Sequence, residues 1–189
     1  MKEAITQYRL KHYEEAVKWF HRAAEDGDAS AQYNLGVCYA NGVGVGEDKE
    51  EAVKWYRKAA EQGDADAQRN LGICYREGTG IKADQEKALQ YLHSAAEQGN
   101  AEAQVFLGLC YEYPLPGTIP DIRAAVEWYR KAAEQGLPGA QYKLGDCLSS
   151  KDMLLDPMAF LQRDTKHKYY TEAVEWFRKS AEQGNADAQ

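Results

Sequence analysis

Alanine, leucine and aromatic positions return along this chain with helical period, and the blocks they form return as well. Ala52-Val-Lys-Trp-Tyr-Arg-Lys-Ala-Ala-Glu-Gln-Gly63 has counterparts at Ala16 to Gly27, Ala88 to Gly99, Ala125 to Gly136 and Ala173 to Gly184. The first alanines of successive copies lie 36, 36, 37 and 48 residues apart. A period of this length marks a repeat architecture. Each unit reads as two helices. The first, Ala67 to Arg76 in one copy, opens on Asp64-Ala-Asp66 and closes on Gly78-Thr-Gly80. The second, Gln85 to Gln98, is capped by Asp84 and stops at Gly99. Lys and Arg gather towards its C-terminal part, as at Arg57-Lys58 and Arg130-Lys131, where cations suit the helix dipole. One such pair of helices cannot bury its apolar face alone, so neighbouring pairs stack.

Comparison of the copies locates the packing. Trp55, Trp128 and Trp176, with Trp19 and Tyr91, share one second-helix position, each followed by an aromatic residue or leucine. In the first helix Gly36, Gly72, Gly108 and Gly145 recur, although a mid-helix glycine costs about 1 kcal/mol against alanine. The expectation is that each glycine admits a bulky aromatic side chain from a packed helix, and that the aromatic ladder is core. Cys38, Cys74, Cys110 and Cys147 also fall at one repeated position. Lying one repeat apart, they are expected beyond disulfide reach, as small buried hydrophobes. No C-x-x-C or neighbouring histidine suggests a metal site, and no cofactor is expected.

Charge narrows the partners. The net charge of −7, from 30 acidic and 23 basic residues, opposes strong binding to nucleic acid or an anionic membrane. Neutral or mildly basic proteins or peptides fit better. No stretch approaches the roughly 20 apolar residues of a membrane span. Met1 to Leu10 lacks the apolar core of a secretory signal, and the unpaired thiols favour a reducing, cytoplasmic setting.

The run Ala-x-Ala-Gln-x-x-Leu-Gly-x-x-Tyr-x-x-Gly-x-Gly at Ala65 to Gly80, followed by Lys87-Ala88 and Trp/Tyr-x-x-Ala-Ala-x-x-Gly, closely resembles the Sel1-like repeat, a relative of the tetratricopeptide repeat. The resemblance covers nearly the whole chain. It implies an all-α, right-handed α/α superhelical solenoid that serves as an adaptor in protein complexes, with roles extending to membrane-protein quality control and bacterial signalling or host interaction. On this reading residues 1–189 form one solenoid, with a partial leading repeat at 1–27, full repeats at 28–63, 64–99, 100–136 and 137–184, and the start of another at 185–189. The shortened first unit and the incomplete last one suggest a fragment of a longer array. Uncapped ends, including Tyr170, Val174 and Phe177, would then favour dimerisation or end-to-end packing.

Two loops depart from the pattern. Tyr113-Pro-Leu-Pro-Gly-Thr-Ile-Pro120 replaces a glycine loop with a stiff, extended one. Residues 149–169 carry the longest insertion, in which Asp156-Pro157 reads as an early helix start, and a helix running on to Gln183 would span roughly 40 Å. Met153, Leu154, Leu155, Met158, Phe160 and Leu161 would form a partner-binding lip there, or fold back on the stack.

On the first helices, positions that change from unit to unit fall within about 60° of one another, opposite the packed side. They are Ser30, Asn34, Val37 and Asn41, then Asp66, Asn70, Ile73 and Glu77, then Glu102, Phe106, Leu109 and Tyr113, then Gly139, Lys143, Asp146 and Ser150. In the architecture that the chain resembles, first helices line the concave face. They would form a peptide groove with a polar start, an apolar anchor at Phe106 and Leu109, a charged end, and Asn34 and Asn70 clamping partner backbone. No Ser-x-x-Lys, G-x-S-x-G, H-E-x-x-H or phosphate loop is present, and His12, His21, His93 and His167 read as scattered, solvated side chains. The reading is a protein-interaction scaffold without catalysis. Its alternatives are a hydrolase or small-ligand binder, as linked with β-lactam-binding cysteine-rich relatives that carry two cysteines per unit, and a spacer.

Overall fold

The computed structural model describes residues 1–9, 12–114, 118–150 and 163–188. Its described elements are helical throughout. They are α1 (Lys2–Arg9), α2 (Tyr13–Glu25), α3 (Ala29–Asn41), α4 (Lys49–Glu61), α5 (Ala65–Glu77), α6 (Gln85–Glu97), α7 (Ala101–Glu112), α8 (Ile122–Glu134), α9 (Pro138–Ser149) and α10 (Arg163–Glu182), followed by a 3₁₀ turn at Ala186–Ala188. Consecutive helices pair within two compact units, Met1–Asn100 and Ala101–Gln189.

Caps set the helix starts. In the first unit Asp28 and Asp64 accept from the backbone N–H of Ala31 and Ala67, at 2.9 and 2.8 Å. Asp48 and Asp84 do the same for Glu51 and Lys87, and Asp121 for Ala124 in the second unit. Each satisfies an amide the helix itself leaves open. Helix α9 differs: Leu137 occupies the cap, makes no side-chain cap bond, and is followed by Pro138.

The repeated glycine column is filled by neighbouring side chains. A Cβ on Gly36 would lie 2.7 Å from the Tyr56 ring, one on Gly108 2.6 Å from the Tyr129 ring, and those on Gly72 and Gly145 2.8 and 2.9 Å from Leu92 and Phe177. The occupant is therefore the residue after each tryptophan position, and in one unit it is a leucine. Phe20, Tyr56, Leu92 and Tyr129 are buried, whereas Trp19 is exposed and Trp128 and Trp176 are half-buried; only Trp55 among these tryptophans is core. The reason is helical geometry: adjacent residues point about 100° apart, so the two are not equally turned to the neighbouring helix, and both are buried only at Trp55-Tyr56. Trp55, Trp128 and Trp176 lie beneath lysines three residues on, with Lys58, Lys131 and Lys179 at 3.9, 3.8 and 4.0 Å from the ring centres.

A glutamine column runs beside this core. Gln32 and Gln68 donate to the Ala24 and Ala60 carbonyls and accept from Gln62 and Gln98, and in the second unit Gln141 donates to Ala133 and accepts from Gln183. Buried amides are thus satisfied by their counterparts one helix away. Phe177 belongs to this interior through Gly145, so of the expected sticky end only Tyr170 and Val174 are exposed. Helix α10 has 20 residues against 12 or 13 in α2 to α9. Asp156-Pro157, where an earlier start was expected, lies outside the described residues.

No disulfide joins the four cysteines, and Cys38, Cys110 and Cys147 are buried. Burial pushes the Cys38 thiol up to about 11; burial and Glu77 bring Cys74 to about 11, and burial with Glu112 takes Cys147 to about 12. Folding holds these thiols protonated, so their contribution is full below the unfolded value of 9.0 and is lost as pH rises to about 12. Denaturation midpoints measured from pH 8 to 12 should therefore fall above pH 9. Iodoacetamide at pH 8, read by mass spectrometry, should modify half-buried Cys74 before Cys38 or Cys147.

Candidate partner-binding site

The first unit gathers part of the expected surface into one cavity. Asn41, Asn70, Ile73 and Glu77 line a space of about 280 Å³ together with Ala40, Lys49, Ala52, Tyr56, Cys74 and Thr79. Asn34 and Val37 stand outside this lining. Val37 packs half-buried on the core. The Asn34 amide donates 2.7 Å to the Ser30 carbonyl, and Asn41 donates 2.8 Å to Val37. These amides spend a donor on their own helix, because a short side chain reaches the carbonyl four residues back. Asn34 is thereby tied to its own helix, with one N–H and its Oδ1 left for a partner. Asn70 is also engaged: its Oδ1 accepts from Arg69 at 3.1 Å, and its side chain bonds the Tyr56 hydroxyl.

In the second unit Phe106 stands beside an apolar notch of about 170 Å³ formed with Glu102, Val105, Leu137, Pro138, Gly139 and Ala140. Leu137-Pro138 in its wall occupies positions filled by Asp28-Ala29, Asp64-Ala65 and Asn100-Ala101 in earlier units. Leu109, expected to share the anchor, instead packs on the core of this unit. Tyr113 is 58% exposed, and the Lys143 ammonium lies 5.1 Å from its ring centre. Asp146 is exposed. Met153, Leu154, Leu155, Met158, Phe160 and Leu161 lie outside the described residues, as do Leu115, Pro116 and Gly117 of the proline loop.

Two residues absent from the sequence expectations organise this surface. Glu112 is only 9% exposed and accepts from the Tyr129 hydroxyl at 2.6 Å and from Lys143 at 3.4 Å. Burial and Glu112 push the Tyr129 hydroxyl far above its usual range. Burial works against the Lys143 ammonium, but Glu112 and Tyr113 more than offset it and raise its pKa. The signal was a carboxylate at a position held by Ala40, Arg76 and Ser149 elsewhere. Sequence alone gave no reason to pair it with Tyr129.

The histidines are less uniform than expected. His12 and His167 are exposed, but half-buried His21 bonds the Tyr39 hydroxyl at 3.0 Å and sets its ring edge against Trp55. Arg57 takes the equivalent place against Tyr75, at 3.3 Å. In the last unit Leu148 replaces that tyrosine, and Arg130 pairs with Glu172, which also accepts from the Trp176 indole at 3.2 Å. Among the described residues no three His, Cys, Asp or Glu side chains form a metal-binding group, and no described helix is long and apolar enough to cross a membrane.

A family model for the Sel1 repeat matches residues 9–28, 29–64, 65–100, 101–137, 138–153 and 164–185. The structure is similar to a Sel1 repeat protein from Oxalobacter formigenes, at 33% identity and TM-score 0.78, covering 98% of this chain and 71% of that one. It is also similar to a protective antigen with an SLR fold present in uropathogenic Escherichia coli strains, at 32% identity and TM-score 0.68, covering 93% of this chain and 43% of the antigen. An immunity protein from Pseudomonas aeruginosa, 22% identical with TM-score 0.57 over 100% of this chain and 69% of that one, shares the fold. No curated protein matches the chain in sequence. The repeat spacing, the filled glycine column and these matches agree that the chain belongs to the Sel1 repeat family.

Proposed function

We propose that the chain is a protein-interaction scaffold that holds a peptide segment of a partner on the variable faces of its first helices. The observation that carries this reading is the notch beside Phe106. A large aromatic ring stands half-buried outside the unit's core cluster, next to apolar space walled by Leu137 and Pro138, where earlier repeats carry a polar residue followed by alanine. An aliphatic or aromatic partner side chain fits there, with Tyr113 and Lys143 as further contacts on the same unit. Rigid aromatic anchors in desolvated pockets carry much of the energy of such interfaces.

The hydrolase alternative gains no nucleophile from the first cavity. Burial and Glu77 raise the Cys74 thiol to about 11, the reverse of what an attacking thiolate needs. Affinity capture from lysate of the source organism tests the scaffold reading. Phe106→Ala is expected to weaken retention of the captured partner about ten-fold or more, and Tyr113→Ala to weaken it less. Leu109 is spared in this test because its truncation would disturb the core. A partner retained equally by wild type and Phe106→Ala overturns the anchor.

A further inference from the structure

The cavity of the first unit holds a charge that its own fold does not use. Glu77 lies in the last turn of α5, where a carboxylate opposes the helix dipole, and it makes no ion pair among the described residues. Its counterparts Asn41, Tyr113 and Ser150 show that the repeat forms without an acid there. Asn41 has given an amide N–H to Val37, which leaves its Oδ1 as an acceptor on a side chain that lines the cavity with Glu77 and Thr79. Ile73 and Cys74 add apolar wall. Lys49 also borders this space, but its ammonium bonds the Ala40 carbonyl and pairs with Glu47 at 3.1 Å. Lys49, Glu47 and Glu77 together leave the site one negative charge in a chain of net charge −7.

We infer that this cavity binds an arginine side chain of a partner protein, with the guanidinium on Glu77, Asn41 and Thr79 and the methylene stem against Ile73 and Cys74. A planar fork of five donors suits a carboxylate, an amide oxygen and a hydroxyl lining one space, whereas an ammonium is a compact point charge. The methylenes gain by covering apolar wall while the charged head stays at the acceptors. The inference rests on the scaffold reading and gives it a chemical specificity: a basic residue for the first unit, an apolar one for the Phe106 notch.

The test is NMR titration of the ¹⁵N-labelled full chain with Nα-acetyl-arginine amide, Nα-acetyl-lysine amide and Nα-acetyl-norleucine amide. Saturable shifts at the amides of Asn41, Ile73, Glu77 and Thr79 are expected with the arginine probe, weaker ones with lysine and none with norleucine. Glu77→Gln should weaken arginine binding about five-fold, in keeping with an exposed ion pair, and Asn41→Asp should strengthen it. Both positions are exposed at helix ends, so the fold is expected to persist in each variant. Equal shifts with lysine or norleucine, or affinity unchanged in both variants, overturn the site. A chain that ignores arginine yet loses its captured partner on Phe106→Ala refutes this cavity alone. Arginine binding without dependence of capture on Phe106 keeps the cavity and removes the apolar anchor.

Discussion

Replacing Gly80 with alanine is expected to destabilise the first unit by about 3 kcal/mol, an effect read as roughly 100-fold faster hydrogen exchange in α4 and α5. Gly80 has φ of 67°, a left-handed conformation that costs an L residue about 1–2 kcal/mol. A Cβ there would also drive into the Lys49 carbonyl and come within 3.0 Å of the Glu50 amide nitrogen. Overpacking of this kind adds about 1–3 kcal/mol, and backbone yields less readily than a side-chain tip. Gly78 provides the control. Its φ is 73°, but its nearest neighbour would be 3.5 Å from an added Cβ, so Gly78→Ala should show the conformational cost alone, about 1 kcal/mol. Equal exchange rates in the two variants would mean that the approach of this loop to the start of α4 does not govern stability. Gly44 meets the Tyr13 carbonyl in the same way, which identifies the second glycine of the loop as the joint between successive helix pairs in this unit.

Glu112→Leu should cost the second unit about 3 kcal/mol, measured by chemical denaturation or by exchange in α7 and α8. The substitution leaves the fully buried Tyr129 hydroxyl without its acceptor and removes the carboxylate beside Lys143. A hydrogen bond to a charged group contributes about 1.5–3 kcal/mol, and an orphaned buried donor adds a penalty of similar size. The double variant Glu112→Leu/Tyr129→Phe should lose less than the sum of the single losses, because removing both partners leaves no unsatisfied hydroxyl. Strict additivity would show that the 2.6 Å bond does not couple them. Partner binding is expected to weaken in Glu112→Gln even where folding is kept, since Lys143 would lose the charge that holds it near Tyr113.

The candidate surface was partly legible because repeats act as internal comparisons. First-helix positions that must pack keep one residue type from copy to copy, while Asn34, Asn70, Phe106 and Lys143 bring three residue types to one equivalent place, and that contrast pointed to the variable side of the first helices. The same comparison misjudged Leu109 and the tryptophans. A helical wheel assigns an angle, but burial depends on how closely the neighbouring helix approaches, and Leu109 lies near enough to the core to be drawn into it. Asn34 also donates to the Ser30 carbonyl on its own helix, a local bond that a helical wheel does not register.

What the amino-acid sequence determined by itself is the periodic part: helix pairs begun by aspartate, ended by glycine, and joined through alanine, leucine and mid-helix glycine positions. These follow from local backbone preferences and from the need of each pair to bury one face, and both repeat every 36 residues in the regular part of the chain. Tertiary structure alone decided which side chain fills each glycine, that Glu112 meets Tyr129 and Lys143, and that Asn41, Glu77 and Thr79 share one cavity. Apart from the near neighbours Glu77 and Thr79, those partners lie 17 to 38 residues apart in sequence on separate elements. Their meeting depends on the crossing and spacing of packed helices, which no local pattern along the chain encodes.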